Sequence, residues 1–182
     1  MGITKFIFNK LLGWKIVGSF NSEIKKAVII VVPHTSWHDF YIGVFVRRIT
    51  KTEINFIGKK EMFAWPIGWY FRYMGGAPID RIPGQNNVEA IADIFNNREE
   101  FRLGLAPEGT RKKVNTWKTG YYYIAQAANV PIIPVSFDYK TKTVTINKSG
   151  IPNFKINEKI LGKINLLKKK ITITLPMANK TS

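Results

Sequence analysis

Apolar residues occur along this chain in two alternating patterns, short runs and stretches with helical spacing. The short runs predict strands, because a buried strand is apolar at successive positions and a half-exposed strand at every second one. Strands are predicted at 27–32, 54–57, 75–81, 101–106, 130–135, 141–146 and 171–175.

Between the strands, apolar residues recur at helical spacing. These stretches predict helices at 40–48, 88–95, 117–128 and 156–167. Alternation of strands with helices is typical of an α/β fold. We therefore expect one domain, residues 1–182, with a mixed, largely parallel sheet flanked by helices.

Two basic amphipathic segments flank the region that holds the candidate chemistry, residues 27–135. Residues 1–20 mix apolar residues with lysines and predict a short N-terminal helix. Such a helix can lie in a lipid interface, or it can pack on its own domain. The second segment lies within residues 136–182, which also carry the last two predicted strands.

The segment 62–74 is rich in aromatic residues and holds too many rings for one face of one helix. Three basic residues, Lys59, Lys60 and Arg72, lie beside or within it. Aromatic rings settle in the headgroup region of a bilayer. We therefore expect this segment to contact a membrane, with some of its rings in the protein core.

The charge of the chain is strongly positive. Twenty-eight Lys and Arg residues against 12 Asp and Glu give a formal net charge of +16 and a pI near 10.1. A field of this size favours polyanionic partners: nucleic acid, an anionic membrane surface, or acidic or phosphorylated substrates.

Several classes of protein are excluded. The chain has no cysteine, which excludes disulfides, thiolate metal sites and a cysteine nucleophile. No apolar run reaches the roughly 18 residues of a spanning helix, and lysines interrupt any signal-peptide core near the start. We expect a protein that is soluble or lies on a membrane.

The only two histidines, His34 and His38, directly follow the predicted strand at 27–32 and Pro33. Imidazole accepts and returns a proton near neutral pH, and a carboxylate on its far nitrogen fixes the tautomer. If the chain turns after Pro33, His34 and Asp39 can form such a dyad. Alternatively, Asp39 is a first-turn helix acid and His34 a satisfied loop histidine.

Other chemistries fit the histidine segment less well. Two histidines four residues apart can bind a metal on a helix, but no third histidine and no His-Glu-x-x-His pattern completes a zinc site. No Gly-x-Ser-x-Gly motif of a serine hydrolase occurs. We expect no metal, and Thr35 or Ser36 as N-cap of the following helix.

Three further blocks follow, Gly76-Ala-Pro-Ile-Asp-Arg81, Pro107-Glu-Gly-Thr-Arg111 and Val130-Pro-Ile-Ile-Pro134. With His-x-x-x-x-Asp, they resemble in order and separation the glycerolipid acyltransferase family, whose best-known members are the 1-acylglycerol-3-phosphate acyltransferases. The resemblance extends from about Val31 to Val135, most of the chain. Each block is unspecific alone, whereas the ordered set is specific.

The resemblance implies a catalytic role for the first block. His34 would be the general base that takes the proton from an acceptor hydroxyl, and Asp39 would orient its ring and stabilise the imidazolium. The hydroxyl would attack an acyl thioester directly, because a thiol with a pKa of ~8.5 leaves with little acid assistance.

The resemblance assigns substrate binding to the two arginine blocks. Arg81 and Arg111 would hold the phosphate of the acceptor through bidentate hydrogen bonds. Gly109 would let the backbone approach the ligand, Glu108 would orient an arginine or the glycerol, and Thr110 belongs to the same loop. The structural alternatives are a salt bridge for Arg81 and a solvated loop position for Glu108.

Two features depart from the family pattern. Family members often carry a longer N-terminal membrane anchor, whereas only a short segment precedes the predicted sheet here, so an interfacial attachment is expected. His38 stands just before Asp39, where the family commonly has an aromatic residue, and we assign it no role.

The resemblance predicts an acyltransferase that moves a fatty acyl group to the hydroxyl of a lysolipid, with 1-acylglycerol-3-phosphate (lysophosphatidic acid) as acceptor. The donor would be acyl-coenzyme A or acyl carrier protein, with no other cofactor. Further expected partners are the lysolipid and an anionic membrane surface, but no nucleic acid. The enzyme would be cytoplasmic, peripheral on the inner face of the membrane.

Three alternatives differ from this prediction. The same chemistry could act on a non-phosphate lysolipid, such as an acylated amino acid, although both candidate phosphate arginines are present. A basic nucleic-acid-binding domain would explain the charge, but no such signature occurs and the lysine-rich segments follow amphipathic faces. A catalytically inactive lipid-binding protein is disfavoured by the intact set of motifs.

Overall fold

In the computed structural model, the apolar runs form a central sheet. The structure describes residues 2–33, 36, 38–79, 87–109 and 117–147. The predicted helix at 156–167 and the predicted strand at 171–175 lie outside these ranges.

Strands and helices alternate along the described part of the chain. The strands are β1 (Lys15–Val17), β2 (Lys26–Val32), β3 (Phe56–Lys59), β4 (Gly76–Ile79), β5 (Phe101–Leu105), β6 (Ile132–Asp138) and β7 (Thr143–Ile146). The helices are α1 (Ile3–Phe6), α2 (His38–Thr50), α3 (Gly68–Tyr73), α4 (Asn87–Asn96) and α5 (Gly120–Ala127). A π-helical turn, Ile7–Leu11, continues α1, and a 3-10 turn, Lys60–Phe63, follows β3.

The strands form a five-stranded sheet in the order β1-β7-β6-β2-β5 and a two-stranded sheet of β3 and β4. A parallel bridge between Asn55 and Leu103 places β3 beside β5. β2 pairs in parallel with both β5 and β6, while β6 and β7 are antiparallel. This mixed, largely parallel sheet with flanking helices confirms the predicted α/β fold.

After its first residue, Lys26, β2 is apolar because both of its faces are buried. Val28 and Ile30 belong to a cluster with residues of α4 and α5, whereas Ile29 belongs to a cluster with residues of α2. None of the three is more than 1% exposed. A strand covered on both sides has no face for polar residues, which explains the continuous run in the sequence.

Several boundaries differ from the predicted ones. β3 begins at Phe56 rather than at residue 54, because Asn55 instead bridges to Leu103. β6 continues past residue 135 to Asp138, as β7 pairs with its last residues. β1 was not predicted, since it has three residues of which only Ile16 is half-buried.

The N-terminal helix is present and has two different faces. Phe8 is fully buried in the cluster beside α2, where its ring lies near those of Trp14 and Phe45. Phe6 and Leu11, in contrast, are 51% and 71% exposed. One face therefore packs on the domain, and the interfacial role of the other stays a prediction. In the described ranges, each helix is too short or too polar to cross a membrane.

Replacing Phe8 with alanine should lower the free energy of unfolding by about 3 kcal/mol, because it removes a fully buried ring. Phe6→Ala is the matched control, with an expected change of at most about 0.5 kcal/mol at an exposed position. Urea unfolding of the two variants and the wild type measures both values. Equal changes in the two variants would contradict the packing of this segment on the domain.

Candidate functional site

The carboxyl ends of three neighbouring strands meet at one edge of the sheet. β2 lies between β5 and β6, and both run parallel to it. The segments that follow these strands carry Asp39, Glu108 and Tyr139. In α/β sheets, ligands bind in the crevice outside the carboxyl ends of the strands. This edge is therefore the candidate site.

Asp39 lies in the first turn of α2 and is only 4% exposed. Its Oδ2 accepts a hydrogen bond from the backbone N–H of Ser36 at 3.0 Å, and Ser36 Oγ accepts one from the backbone N–H of His38 at 3.2 Å. The bond from the His38 N–H to Ser36 Oγ confirms Ser36 as a cap of α2, and Asp39 accepts a bond back from the Ser36 backbone. Asp39 is thus a first-turn helix acid, and the same bonds hold its carboxylate at the sheet edge.

Tyr139 is a second partner of Asp39 that sequence reasoning missed. The Tyr139 hydroxyl donates a hydrogen bond to Asp39 Oδ1. Burial of the phenol and its bond to the Asp39 carboxylate raise the pKa of Tyr139 well above the usual value. The hydroxyl therefore keeps its proton throughout the neutral range and can donate this bond there.

His38 lies at the surface, and its Nδ1 is 2.8 Å from Ser36 Oγ. The side chain thus takes part in the cap of α2. This contact gives a structural reason for a histidine at the position where the sequence departs from the family pattern.

An apolar cleft of about 270 Å³ opens beside Asp39. The charged residues that line it are Asp39 and Arg47, and the remainder of the wall is mainly apolar, with Phe40, Phe56 and Leu105 among its members. Gly43 of α2 also lines the cleft, and a Cβ added there would meet no atom within 4 Å. The absence of a side chain at this position therefore leaves space in the cleft.

A basic cavity of about 300 Å³ shares Arg47 with the cleft and is also lined by Arg48 and Lys51. Arg47 lies 3.8 Å from Glu53 and donates a hydrogen bond to the backbone oxygen of Tyr73 at 3.3 Å. Arg47 and Arg48 occupy the last turn of α2 and Lys51 directly follows it, where positive charge is favoured by the helix dipole. Helix stability accounts for them without a ligand.

The turn after β5 needs a glycine for its backbone. Gly109 has a φ of +62° and donates a hydrogen bond to the oxygen of Ala106 at 3.1 Å. A Cβ added there would lie 2.9 Å from Cδ of Lys118, whose backbone N–H bonds to Pro107 at 2.8 Å. The side chain of Lys118 therefore passes directly over the turn, an arrangement that no spacing in the sequence indicated.

The structure brings three of the predicted site residues, Asp39, Glu108 and Gly109, to the same edge of the sheet. Glu108 is half-buried, in the turn that follows β5. The other four predicted site residues, His34, Arg81, Thr110 and Arg111, lie outside the described residues. Their roles stay predictions.

Comparison with known proteins adds independent findings. A family model described as Acyltransferase matches residues 14–138. The chain is 32% identical over 134 residues to 1-acyl-sn-glycerol-3-phosphate acyltransferase of Escherichia coli, covering 70% of this chain and 54% of that protein. It is 28% identical over 147 residues to the protein of the same name from Saccharomyces cerevisiae, covering 76% and 47%. The chain therefore spans about half the length of these relatives.

Among solved structures, the fold is similar to that of the 1-acyl-sn-glycerophosphate (LPA) acyltransferase PlsC from Thermotoga maritima. The TM-score is 0.59 at 22% sequence identity, and the similarity covers 98% of this chain and 78% of that one. The family model extends from just before β1 to the end of β6 and so includes Asp39, Glu108 and Gly109, whereas Tyr139 is the first residue beyond it. The chain belongs to the acyltransferase family.

Proposed function

We propose that this protein transfers a fatty acyl group from a thioester donor to the hydroxyl of lysophosphatidic acid, giving phosphatidic acid. The observation that carries this proposal is the buried carboxylate of Asp39, held at the sheet edge beside an apolar cleft. The names of the relatives and the complete set of family motifs support the same reaction.

His34 is the proposed general base. It takes the proton from the acceptor hydroxyl as the oxygen attacks the thioester carbon, and Asp39 stabilises the imidazolium that forms. The carbon–sulfur bond then breaks, and the proton on the ring passes to the departing thiolate. Burial of Asp39 supports this role, because a carboxylate attracts a nearby cation more strongly where water is excluded.

The apolar cleft is the proposed site of a fatty acyl chain. Its wall is mainly apolar and contains Asp39, so a chain lying in it would end beside the carboxylate. Pockets of this kind hold apolar ligands and use a few polar groups to orient them. The donor would be acyl-coenzyme A or acyl carrier protein.

The phosphate of the acceptor is assigned to Arg81 and Arg111. Lys118 adds a cation beside Gly109, on the turn that leads into Arg111. Bidentate arginine contacts and a nearby ammonium are both suited to a phosphate group.

Binding to an anionic membrane at its cytoplasmic face is part of the proposal. Trp65, Ile67, Trp69 and Tyr73 are all more than half exposed and lie close together in sequence. Arg72 stands among them, and the chain as a whole carries a net charge of +16. Exposed aromatic and apolar residues on a cationic protein suit the interface of an anionic bilayer.

The first experiment measures thiol release from acyl-coenzyme A on micelles that contain lysophosphatidic acid. His34→Ala and Asp39→Asn should each lower acceptor-dependent release by about a hundred-fold or more, the usual contribution of a general base. Tyr123→Phe is the control, because it changes a half-exposed side chain on α5 and should alter the rate by less than about three-fold.

Wild-type rates in His34→Ala or Asp39→Asn would contradict the dyad. A parallel assay replaces lysophosphatidic acid with an acylated amino acid that has no phosphate. Release with this second acceptor alone would contradict the assignment of a phosphorylated acceptor while leaving acyl transfer intact.

A second prediction concerns the cleft. Gly43→Phe should place a ring in the space beside Gly43 and lower the rate with long-chain donors more than ten-fold relative to short-chain donors. Gly43→Ala is the control, expected to keep the wild-type chain-length profile and to raise helix stability by about 0.5–1 kcal/mol. Rates are compared for acyl-coenzyme A donors of increasing length; an unchanged profile in Gly43→Phe would contradict binding of the chain in this cleft.

A further inference from the structure

We propose that Tyr139 is a positioning residue for the acyl transfer, which holds the carboxylate of Asp39 in one orientation relative to the sheet and is itself anchored by Trp14. The inference rests on the proposed function, because it takes Asp39 as the partner of the catalytic base.

Hydrogen bonds from Ser36 and Tyr139 tie the Asp39 carboxylate to different parts of the fold. Ser36 is three residues away, so its bond to Oδ2 fixes the carboxylate relative to the start of α2. Tyr139 is 100 residues away, just beyond β6, and its hydroxyl bonds to Oδ1. The terminal torsion of an aspartate is broad. Each carboxylate oxygen accepts a bond, one from Ser36 before α2 and one from Tyr139 after β6, and together these bonds restrain the torsion. They also fix the start of α2 relative to the sheet.

The backbone at Tyr139 is fixed by the turn that follows β6. Oδ1 of Asp138 accepts hydrogen bonds from the backbone N–H groups of Lys140 and Thr141 at 2.9 and 3.1 Å. An aspartate bonded in this way to the backbone two residues on forms an Asx-turn. Tyr139 lies inside this turn, so its side chain starts from a defined position.

The ring of Tyr139 is held by Trp14. The two rings meet edge to face, with centroids 5.1 Å apart and planes at 87°. Trp14 is itself buried and lies 6.3 Å from the ring of Phe8 and 6.4 Å from that of Phe137. Edge-to-face pairs are favourable and directional. Successive contacts of Phe8, Trp14 and Tyr139 therefore connect the N-terminal segment to Asp39.

The acid–base properties of Tyr139 agree with positioning rather than with proton transfer. Burial and the Asp39 carboxylate raise the pKa of its phenol above the usual value. Efficient general acids and bases have pKa values near the working pH. Tyr139 keeps its proton and so remains a donor to Asp39 through the reaction.

The test replaces Tyr139 with phenylalanine, which keeps the ring on Trp14 and removes the hydroxyl. We expect kcat for acyl transfer to lysophosphatidic acid to fall about ten-fold, the usual effect of losing one hydrogen bond to a charged group, with KM for both substrates unchanged. Tyr123→Phe is the matched control, because it removes the hydroxyl of a half-exposed tyrosine on α5 and should leave kcat unchanged.

A double-mutant cycle separates positioning from a general structural effect. Tyr139→Phe is measured again in the Asp39→Ala background, where alanine offers no acceptor, whereas asparagine would. A residue that acts through Asp39 should cause no further loss of kcat there. Two results would overturn the inference. One is the same ten-fold loss in the wild-type and Asp39→Ala backgrounds, and the other is a wild-type kcat for the single variant Tyr139→Phe.

Trp14→Phe is a second variant that does not depend on the folding of Tyr139→Phe. It keeps the hydroxyl of Tyr139 and weakens the contact that anchors the ring, so kcat should fall by a smaller factor with KM unchanged. An unchanged kcat would overturn the anchoring by Trp14.

Failure of the proposed function gives a different result from failure of this inference. A fully active Asp39→Ala variant would contradict the proposed function, because it would show that the reaction does not need the dyad. An inactive Asp39→Ala beside a fully active Tyr139→Phe would overturn this inference alone.

Discussion

Burial of β2 on both faces fixes the geometry on which the candidate site depends. The strand lies between two parallel neighbours and under helices on either side, with Val28, Ile29 and Ile30 at most 1% exposed. Each such side chain contributes about 1.5–3 kcal/mol through the apolar surface it removes from water. A one-residue slip would exchange the two faces of the strand and disrupt both clusters. The register is therefore strongly specified, and with it the edge where β2, β5 and β6 end together.

That edge places a carboxylate where water is largely excluded. An isolated charge in such a position costs several kcal/mol unless hydrogen bonds compensate it. For Asp39, the compensation comes from the backbone N–H of Ser36 and from the hydroxyl of Tyr139. The hydrogen bonds that compensate the burial of the carboxylate therefore also fix its orientation. Helix α2 is thus both a wall of the apolar cleft and the support of the proposed dyad.

The sequence was most informative where one physical signal dominated. The apolar run of β2 and the helical spacing within α4 each predicted an element, because burial on two faces or on one stripe leaves a periodic pattern. Asp39 was singled out through its spacing from His34, and Thr35 or Ser36 was predicted as the cap from its position before a helix, of which Ser36 is confirmed. β1 left no such signal, since its three residues are held mainly by pairing with β7 rather than by burial.

Contacts between distant segments could not be read in the same way. Tyr139 and Asp39 are 100 residues apart, and nothing in the local pattern around either residue indicates the other. Lys118 reaches Gly109 across a turn whose shape depends on backbone bonds. Tyr139 meets Asp39 because the neighbouring strands β2 and β6 end at one edge of the sheet, whereas Lys118 meets Gly109 within the connection from β5 to α5.

Identification of the reaction product is the most direct test of the proposed acyl transfer. Purified protein is incubated with isotopically labelled acyl-coenzyme A and lysophosphatidic acid, and the lipids are analysed by mass spectrometry. We expect labelled phosphatidic acid as the product, formed only when both substrates are present. Labelled free fatty acid, released at the same rate with and without lysophosphatidic acid, would contradict the proposed acyl transfer.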